Sequence, residues 1–326
     1  MKIECKHLYE DRQDVTVTSY ILDDSPEMLN GKSRGGVVIC PGGGYFNCSD
    51  REAEPIAMAF AAMGYHAFIV RYSVYTQGRE PFPDLMKTLD IKKETVHPQP
   101  VIDLANAIVY IKSRKEEWNL DTDKIAICGF SAGGHNCAMY SVYWDKPLLL
   151  DALGVEKEKL KIAACILGYP LTDYVYLKEY IDKEANQLDR MFFYSSNRIY
   201  LGMEAEELTE EILTSVSPAR LVDGNCPPMF IWGTSEDGLV SAVHSALMAT
   251  ALAKAKIPYE IHTFETGDHG FAMADWMTAA AMDQINPDAS QWVELVKEWL
   301  KKRFMPELPE KSSFADIIPE EMNAQG

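Results

Sequence analysis

Short apolar runs alternate with helix-like segments along most of this 326-residue chain. A strand-length apolar run followed by apolar residues at helical spacing is typical of a β-strand joined to an α-helix. Repeated in this way, the pattern predicts an α/β fold, with a mostly parallel twisted sheet and helices on both of its faces. The predicted strands comprise residues 15–22, 35–40, 66–74, 124–130, 161–170, 227–233 and 259–264.

The remaining segments suggest how the chain is organised. Helices are predicted over residues 52–64, 101–113, 132–143, 239–254 and 290–304. We expect a single α/β domain over residues 1–304, and a tail over 305–326. Residues 171–215 are predicted to form a small cap-like insertion, because their aromatic stretch 191–200 stands between two strands. Residues 75–98, rich in Pro, Lys and Glu, are expected to form a loop or a short excursion beside the site.

The charge and cysteine content restrict the function classes. A formal net charge of −18 disfavours both nucleic acid and anionic membranes as partners. Seven cysteines are scattered without a CxxC pair, as is typical of a reducing compartment. Because residues 1–15 also lack an apolar stretch of signal-peptide length, we expect a cytoplasmic protein. No cluster of Cys and His with metal-ligand spacing is present in the sequence.

The most specific motif is Gly129-Phe130-Ser131-Ala132-Gly133, which matches G-x-S-x-G between a predicted strand and a predicted helix. A nucleophilic serine there occupies the tip of a very tight turn, where neighbouring side chains would collide unless they are glycine. The helix that follows favours negative charge near the serine. The motif predicts that Ser131 is a catalytic nucleophile.

A serine nucleophile needs a base and an orienting acid, which follow it in the chain in the order acid, then histidine. The loop after strand 227–233 offers Asp237, which we favour, and its neighbour Glu236 as the rival. His269 lies in the loop after strand 259–264 and can reach over the serine, so it is the predicted base.

The other histidines near these motifs have structural interpretations. His262 lies within a strand of alternating residues and is predicted to be structural. His135 follows Ser131 by four residues and points down the helix, which favours a supporting or packing role. His244 lies in a helix and is predicted to be a surface or packing residue.

The developing oxyanion needs two backbone N–H donors. Ala132, directly after the nucleophile, supplies one. The other is expected from the glycine-rich loop after strand 35–40, where Gly43 and Gly44 remain alternatives. The adjacent Tyr45 and Phe46 are predicted to shorten the acyl pocket.

With these motifs, the chain resembles the α/β-hydrolase superfamily and, more narrowly, bacterial acetyl esterases of the xylan-esterase-like kind. The resemblance spans roughly residues 36–303. It is carried by PGGGY (41–45), REAEPIA (51–57), GYHAFIVRYSV (64–74), GFSAGGH (129–135), SPARLV (217–222), PPMFIWGTSEDGLV (227–240) and YEIHTFETGDHGF (259–271). Two positions depart from many relatives: Pro41 stands in place of a histidine, and Trp232-Gly233-Thr234 lacks the histidine that often precedes the threonine.

The resemblance implies the α/β-hydrolase fold, with Ser131, Asp237 and His269 as nucleophile, acid and base, and no cofactor. It also implies short acyl esters, such as those of acetylated sugars, as substrates. The sequence thus predicts a serine carboxylesterase. An amide hydrolase (an aryl-formamidase or a peptidase) and a catalytically silent ligand-binding hydrolase fold stay open as alternatives, and assembly into a homo-oligomer is also left open.

Overall fold

One eight-stranded sheet runs through the described part of the chain, which in this computed structural model comprises residues 1–25, 28, 32–77, 82–305 and 308. The strands are β1 (Lys2–His7), β2 (Thr16–Ile21), β3 (Arg34–Cys40), β4 (His66–Arg71), β5 (Leu120–Phe130), β6 (Ala164–Gly168), β7 (Met229–Thr234) and β8 (Tyr259–Phe264). Their order across the sheet is β1-β2-β4-β3-β5-β6-β7-β8. The β1–β2 and β2–β4 pairs are antiparallel and the other five pairs are parallel, which confirms the predicted fold class.

Helices cover both faces of this sheet. They are α1 (Glu54–Ala62), α2 (Gln99–Ser113), α3 (Lys115–Trp118), α4 (Ala132–Tyr143), α5 (Pro147–Leu153), α6 (Tyr174–Lys183), α7 (Gln187–Leu201), α8 (Glu210–Ser215), α9 (Pro218–Leu221), α10 (Val243–Ala255) and α11 (Trp292–Phe304). The side chains of β3 alternate between two hydrophobic cores, since Val38 packs in the core that contains α2 and α4, whereas Val37 and Ile39 pack in the core that contains α1 and α11. This alternation is the expected consequence of the two-residue period of a strand.

The structure differs from the sequence-based elements at one edge strand and at the starts of two other elements. Strand β1 was not predicted, because its residues KIECKH are mostly exposed and give no apolar signal. Strand β5 begins at Leu120, before the predicted start at residue 124. The predicted helix 52–64 is a 3-10 turn at Asp50–Glu52 followed by α1, which carries Pro55 in its first turn, where proline is tolerated.

The segments expected to surround the site are described only in part. Residues 171–215, predicted to form a cap-like insertion, contain the helices α6, α7 and α8. Residues 78–81 of the 75–98 loop lie outside the described residues, as does all of the 305–326 tail except Met305 and Leu308. The division into a domain, a cap and a tail therefore stays a prediction.

The parallel strands direct their carboxyl ends to one edge of the sheet. Cys40 at the end of β3 pairs with Gly129 near the end of β5, and Gly168 at the end of β6 pairs with Phe130. Thr234 at the end of β7 pairs in turn with Phe264 at the end of β8. The loops with the predicted site residues therefore meet at this edge, as is general for open α/β sheets.

Among the helices of the described ranges, none combines the length and apolarity needed to span a bilayer.

Candidate active site

Ser131 occupies a strained turn between β5 and α4. Its backbone has φ 51° and ψ −119°, outside the regions that side-chain-bearing residues normally adopt. A Cβ atom at Gly129 would lie 2.2 Å from the carbonyl oxygen of Gly133, and one at Gly133 would lie 2.1 Å from that of Cys40. Both positions therefore require glycine, which confirms the collisions predicted from the motif.

The structure brings Ser131, His269 and Asp237 together. The Ser131 hydroxyl lies 2.8 Å from Nε2 of His269, and Nδ1 of the same ring lies 2.7 Å from Oδ2 of Asp237. Both hydrogen bonds can form only when Nδ1–H donates to Asp237 and the serine hydroxyl donates to Nε2. This is the hydrogen-bonded chain in which an imidazole can take the proton of a serine.

Asp237 is held in place by its second oxygen. Oδ1 accepts hydrogen bonds from the N–H groups of Leu239 (3.0 Å) and Val240 (2.8 Å). The rival carboxylate, Glu236, is exposed and accepts a hydrogen bond from the N–H of Gly267 instead. Of the two acids that the sequence left open, the structure therefore places Asp237 against His269.

Opposing effects act on the pKa of His269. Burial lowers it, but the charge and hydrogen bond of Asp237, together with the charges of Glu52 and Asp268, outweigh burial, so the pKa lies above its usual value. The site therefore favours the imidazolium that forms when His269 takes a proton.

The glycine-rich loop lies beside Ser131 and leaves backbone donors free. Among the described residues, the N–H groups of Gly43, Gly44 and Ala132 have no hydrogen-bond acceptor. The carbonyl of Gly43 accepts from the N–H groups of Phe46 (2.9 Å) and Asn47 (3.3 Å), and the carbonyl of Gly44 accepts from the Ser196 hydroxyl. Both carbonyls are therefore used in hydrogen bonds within the protein while the N–H groups stay available, an arrangement suited to the predicted oxyanion hole. Gly43 and Gly44 remain alternatives as the second donor.

Replacing Gly43 with alanine is expected to lower kcat by roughly 10²- to 10³-fold, the usual cost of losing one oxyanion donor. At this position φ is +133° and an added Cβ would lie 2.3 Å from the carbonyl oxygen of Asn47, so the loop must move. Gly154→Ala is the matched control, because φ there is also positive at +61° but no atom lies within 4 Å of the added Cβ. Ester hydrolysis measured per titrated active site tests this; a G43A enzyme as active as G154A would contradict it.

A small cavity of about 200 Å³ opens onto Ser131 and His269. Its other lining residues are Gly43, Gly44, Ser49, Arg51, Glu52, Phe82, Phe192, Leu239 and Gly270. A larger cavity of about 260 Å³ lies near Gly35 and Phe304, at the amino end of β3, and contains none of the predicted site residues. We take the smaller cavity as the candidate substrate site.

Tyr45 and Phe46 do not line this cavity, so their predicted placement in the pocket wall is corrected. Tyr45 is buried, stacks on Tyr200 at a ring-centre distance of 4.1 Å, and donates its hydroxyl to Nδ1 of His135. Phe46 is also buried, and its ring packs against Phe82 and Phe192, which form the apolar wall instead. The physical reason is that both side chains point into the core behind the loop.

The other histidines have packing environments. Nε2 of buried His135 donates to the carbonyl of Val216 (2.9 Å), and burial lowers the pKa of this ring to about 3. His244 is buried and lies 3.3 Å from the backbone N–H groups of Thr172 and Asp173, whereas His262 contacts Glu260. None of these three rings contacts Ser131.

Phe82, Phe192 and Glu52 also line the cavity and were not predicted from the sequence. Phe82 and Phe192 lie in the two segments expected to surround the site, but nothing in the sequence indicates which aromatic faces the serine. The motif REAEPIA contains Glu52, and an acid just before an apolar helix is an ordinary first-turn residue, so it carried no distinct signal.

Comparisons with known proteins identify a family and several relatives of this chain. The model of the family described as BD-FAE matches residues 25–252, a region that includes Ser131 and Asp237 and ends before His269. The chain is 32% identical over 245 residues, 73% of its length, to the endo-1,4-beta-xylanase B of Butyrivibrio fibrisolvens. It is 23% identical over 83% of its length to an acetylxylan esterase of Xylanibacter ruminicola. The chain spans only 33% and 47% of these two relatives, respectively.

Solved structures match over nearly the whole chain. The α/β hydrolase MGS-M1 from a deep-sea metagenome library is 31% identical with a TM-score of 0.65, and the match covers 93% of this chain and 97% of that one. A carboxylesterase from Lactobacillus plantarum is 24% identical with a TM-score of 0.73, and the match covers 94% and 100%. At 24% identity the second likeness shows the fold alone, whereas the 31% identity of the first also supports a closer relationship.

Proposed function

This chain belongs to the BD-FAE family of α/β hydrolases, and on that premise we propose that it is a serine carboxylesterase acting on short-chain acyl esters, with acetyl preferred. The observation that carries the proposal is the chain of hydrogen bonds from Ser131 through His269 to Asp237. The seven free cysteines are consistent with a cytoplasmic location.

In acylation, Oγ of Ser131 attacks the ester carbonyl carbon while its proton moves to Nε2 of His269. The carbonyl oxygen becomes an oxyanion held by the N–H of Ala132 and by that of Gly43 or Gly44. Asp237 remains ionised and stabilises the imidazolium. When the intermediate collapses, the ester C–O bond breaks and the alcohol leaves with the proton from Nε2.

In deacylation, a water molecule gives a proton to Nε2 and attacks the carbonyl carbon of the acyl-enzyme. The second oxyanion uses the same N–H donors. Its collapse breaks the bond to Oγ, releases the carboxylic acid and returns the proton to Ser131. The helix α4 begins directly after Ser131, and its amino end favours both oxyanions.

The size of the cavity supports a short acyl group. Its volume of about 200 Å³ is below the range of about 300–1,000 Å³ of typical ligand pockets. Phe82, Phe192 and Leu239 line it with apolar surface, which suits an acyl methyl more than a polar group. The acetylxylan esterase among the relatives supports acetylated sugars as the class of ester, with the sugar hydroxyl as the leaving alcohol, and we propose these as substrates.

We expect activity to decrease from p-nitrophenyl acetate to butyrate to octanoate. Phe192→Ala should raise the octanoate-to-acetate ratio of kcat/KM, because it removes the ring that faces the cavity. Tyr194→Ala is the matched control, since Tyr194 lies on the same helix but is exposed and does not line the cavity. A wild-type preference for octanoate would contradict the short-chain part of the proposal alone, and a formanilide substrate cleaved faster than any ester would favour an amide hydrolase.

A further inference from the structure

Glu52 is a buried carboxylate beside the active site that the mechanism above does not use. Its side chain is 4% exposed, at the end of the 3-10 turn Asp50–Glu52, yet it lines the cavity with Ser131 and His269. Oε2 accepts a hydrogen bond of 2.6 Å from the N–H of Gly42, and Oε1 accepts one of 2.7 Å from the hydroxyl of Tyr169. A buried carboxylate is costly unless it is paired, and here both oxygens are used.

Tyr169 connects Glu52 to the loop that contains His269. Its hydroxyl, which donates to Glu52, also accepts a hydrogen bond of 2.9 Å from the N–H of Ala272. Its ring and the imidazole of His269 pack in a T-shaped arrangement, with ring centres 5.0 Å apart and planes at 72°. One chain of contacts therefore joins Gly42, next to the oxyanion donors, to the ring of His269 and to Ala272, three residues further along the same loop.

Arg51 makes a parallel connection from the adjacent position. Its Nη1 donates to the carbonyl of Gly270 (2.9 Å) and its Nε donates to the carbonyl of Thr278. Arg51 and Glu52 together thus hold the loop after β3 and the loop after β8. These two loops carry the oxyanion donors and the base, which must be fixed relative to each other within a fraction of an ångström.

We propose that Glu52 is a positioning residue that, with Tyr169, fixes the oxyanion loop relative to His269 and favours the imidazolium through its negative charge. The inference rests on the proposed function. The charged groups near His269 are Asp237, Glu52 and Asp268, and those near Glu52 are His269 and Arg51. Tyr72, Tyr169, Cys48 and Cys128 also lie near Glu52 but stay neutral, because burial raises the pKa of each.

The protonation state of Glu52 follows from its partners. Burial raises the pKa of its carboxyl above the usual value, because it outweighs the hydrogen bonds from Tyr169 and Gly42 and the charges of His269 and Arg51, which lower it. Both oxygens nevertheless accept hydrogen bonds, as those of an ionised, acceptor-only carboxylate do. An anion near His269 raises the pKa of the imidazole, so removing that charge must lower it.

The test compares wild type, Glu52→Gln, Tyr169→Phe and the double variant on p-nitrophenyl acetate, with active sites counted by fluorophosphonate titration. Each single change is expected to lower kcat about 10-fold with little change in KM, and the double variant should lose little more than either single, because both act through one contact chain. The acid limb of kcat/KM, which requires neutral His269, should move to lower pH in E52Q. Glu54→Gln is the matched control, since this glutamate is exposed at the start of α1.

The outcomes separate this inference from the proposed function. An active wild type with an E52Q enzyme of unchanged kcat and unchanged acid limb would overturn the inference alone, as would additive losses in the double variant. A purely structural role would reduce the number of titrated sites without moving the acid limb. Should E52Q fail to fold, a Y169F enzyme with wild-type kcat would overturn the inference by itself. A wild type that neither hydrolyses esters nor reacts with the fluorophosphonate would refute the proposed function.

Discussion

Replacing Ser131 with alanine is expected to lower kcat for p-nitrophenyl acetate by about 10⁴- to 10⁶-fold, as removal of the nucleophile does in serine hydrolases. The variant loses the only atom that can form the acyl-enzyme, while Asp237, His269 and the oxyanion donors stay in place. Residual hydrolysis above the uncatalysed rate is expected from the oxyanion donors alone. Initial rates with the wild type and S131A at equal protein concentration measure the effect.

The same variant separates catalysis from folding. Alanine accepts the backbone of Ser131 no worse than serine does, because both side chains begin with the same Cβ at φ 51°. The melting temperature of S131A should therefore stay close to that of wild type, while labelling by a fluorophosphonate disappears. Equal activity in the two proteins would end the serine mechanism, and a wild type that cannot be labelled would favour the silent ligand-binding fold.

Asp237→Asn is expected to lower kcat by about 10⁴-fold, the scale seen when the triad carboxylate becomes an amide. Oδ2 of Asp237 accepts the hydrogen bond from Nδ1–H of His269, which keeps Nε2 free to accept the serine proton. An amide nitrogen there would favour the opposite tautomer. Because Asp237 also raises the pKa of His269, the acid limb of the remaining activity should move to lower pH.

Glu236→Gln is the matched control for this prediction. The two acids are neighbours in the chain, but Glu236 is exposed and contacts only the N–H of Gly267 among its described hydrogen bonds, which a glutamine oxygen can still accept. E236Q should keep activity close to that of wild type over the whole pH range. If E236Q loses activity and D237N does not, the assignment of the acid is wrong.

Much of the fold and the three candidate catalytic side chains could be predicted because their signals are local. The turn at Ser131 needs glycines at 129 and 133, and the collisions that require them occur at contacts of about 2 Å. Strand and helix periodicity located the loops after β7 and β8, which limited the acid to two residues and the base to one histidine. Strand β1 could not be predicted in this way, because an exposed edge strand lacks the apolar residues on which the prediction depends.

The residues that line and support the site could not be predicted, because their neighbours are distant in the chain. Tyr45 looked like a pocket residue from its position after Gly44, but its hydroxyl bonds to His135, 90 residues away. Glu52 looked like an ordinary first-turn acid, whereas its partner Tyr169 is 117 residues away. The order of residues in the sequence does not indicate which distant side chains will form such pairs.

The sequence by itself thus determined the α/β class, the strained serine turn, and the few candidates for acid and base, since each depends on conformational rules that act within a few residues. Only the tertiary structure decided which acid meets His269, which aromatic rings close the cavity, and that Glu52 joins the two catalytic loops. These depend on the packing of strands β3, β5, β6, β7 and β8, whose ends come together only when the sheet has formed.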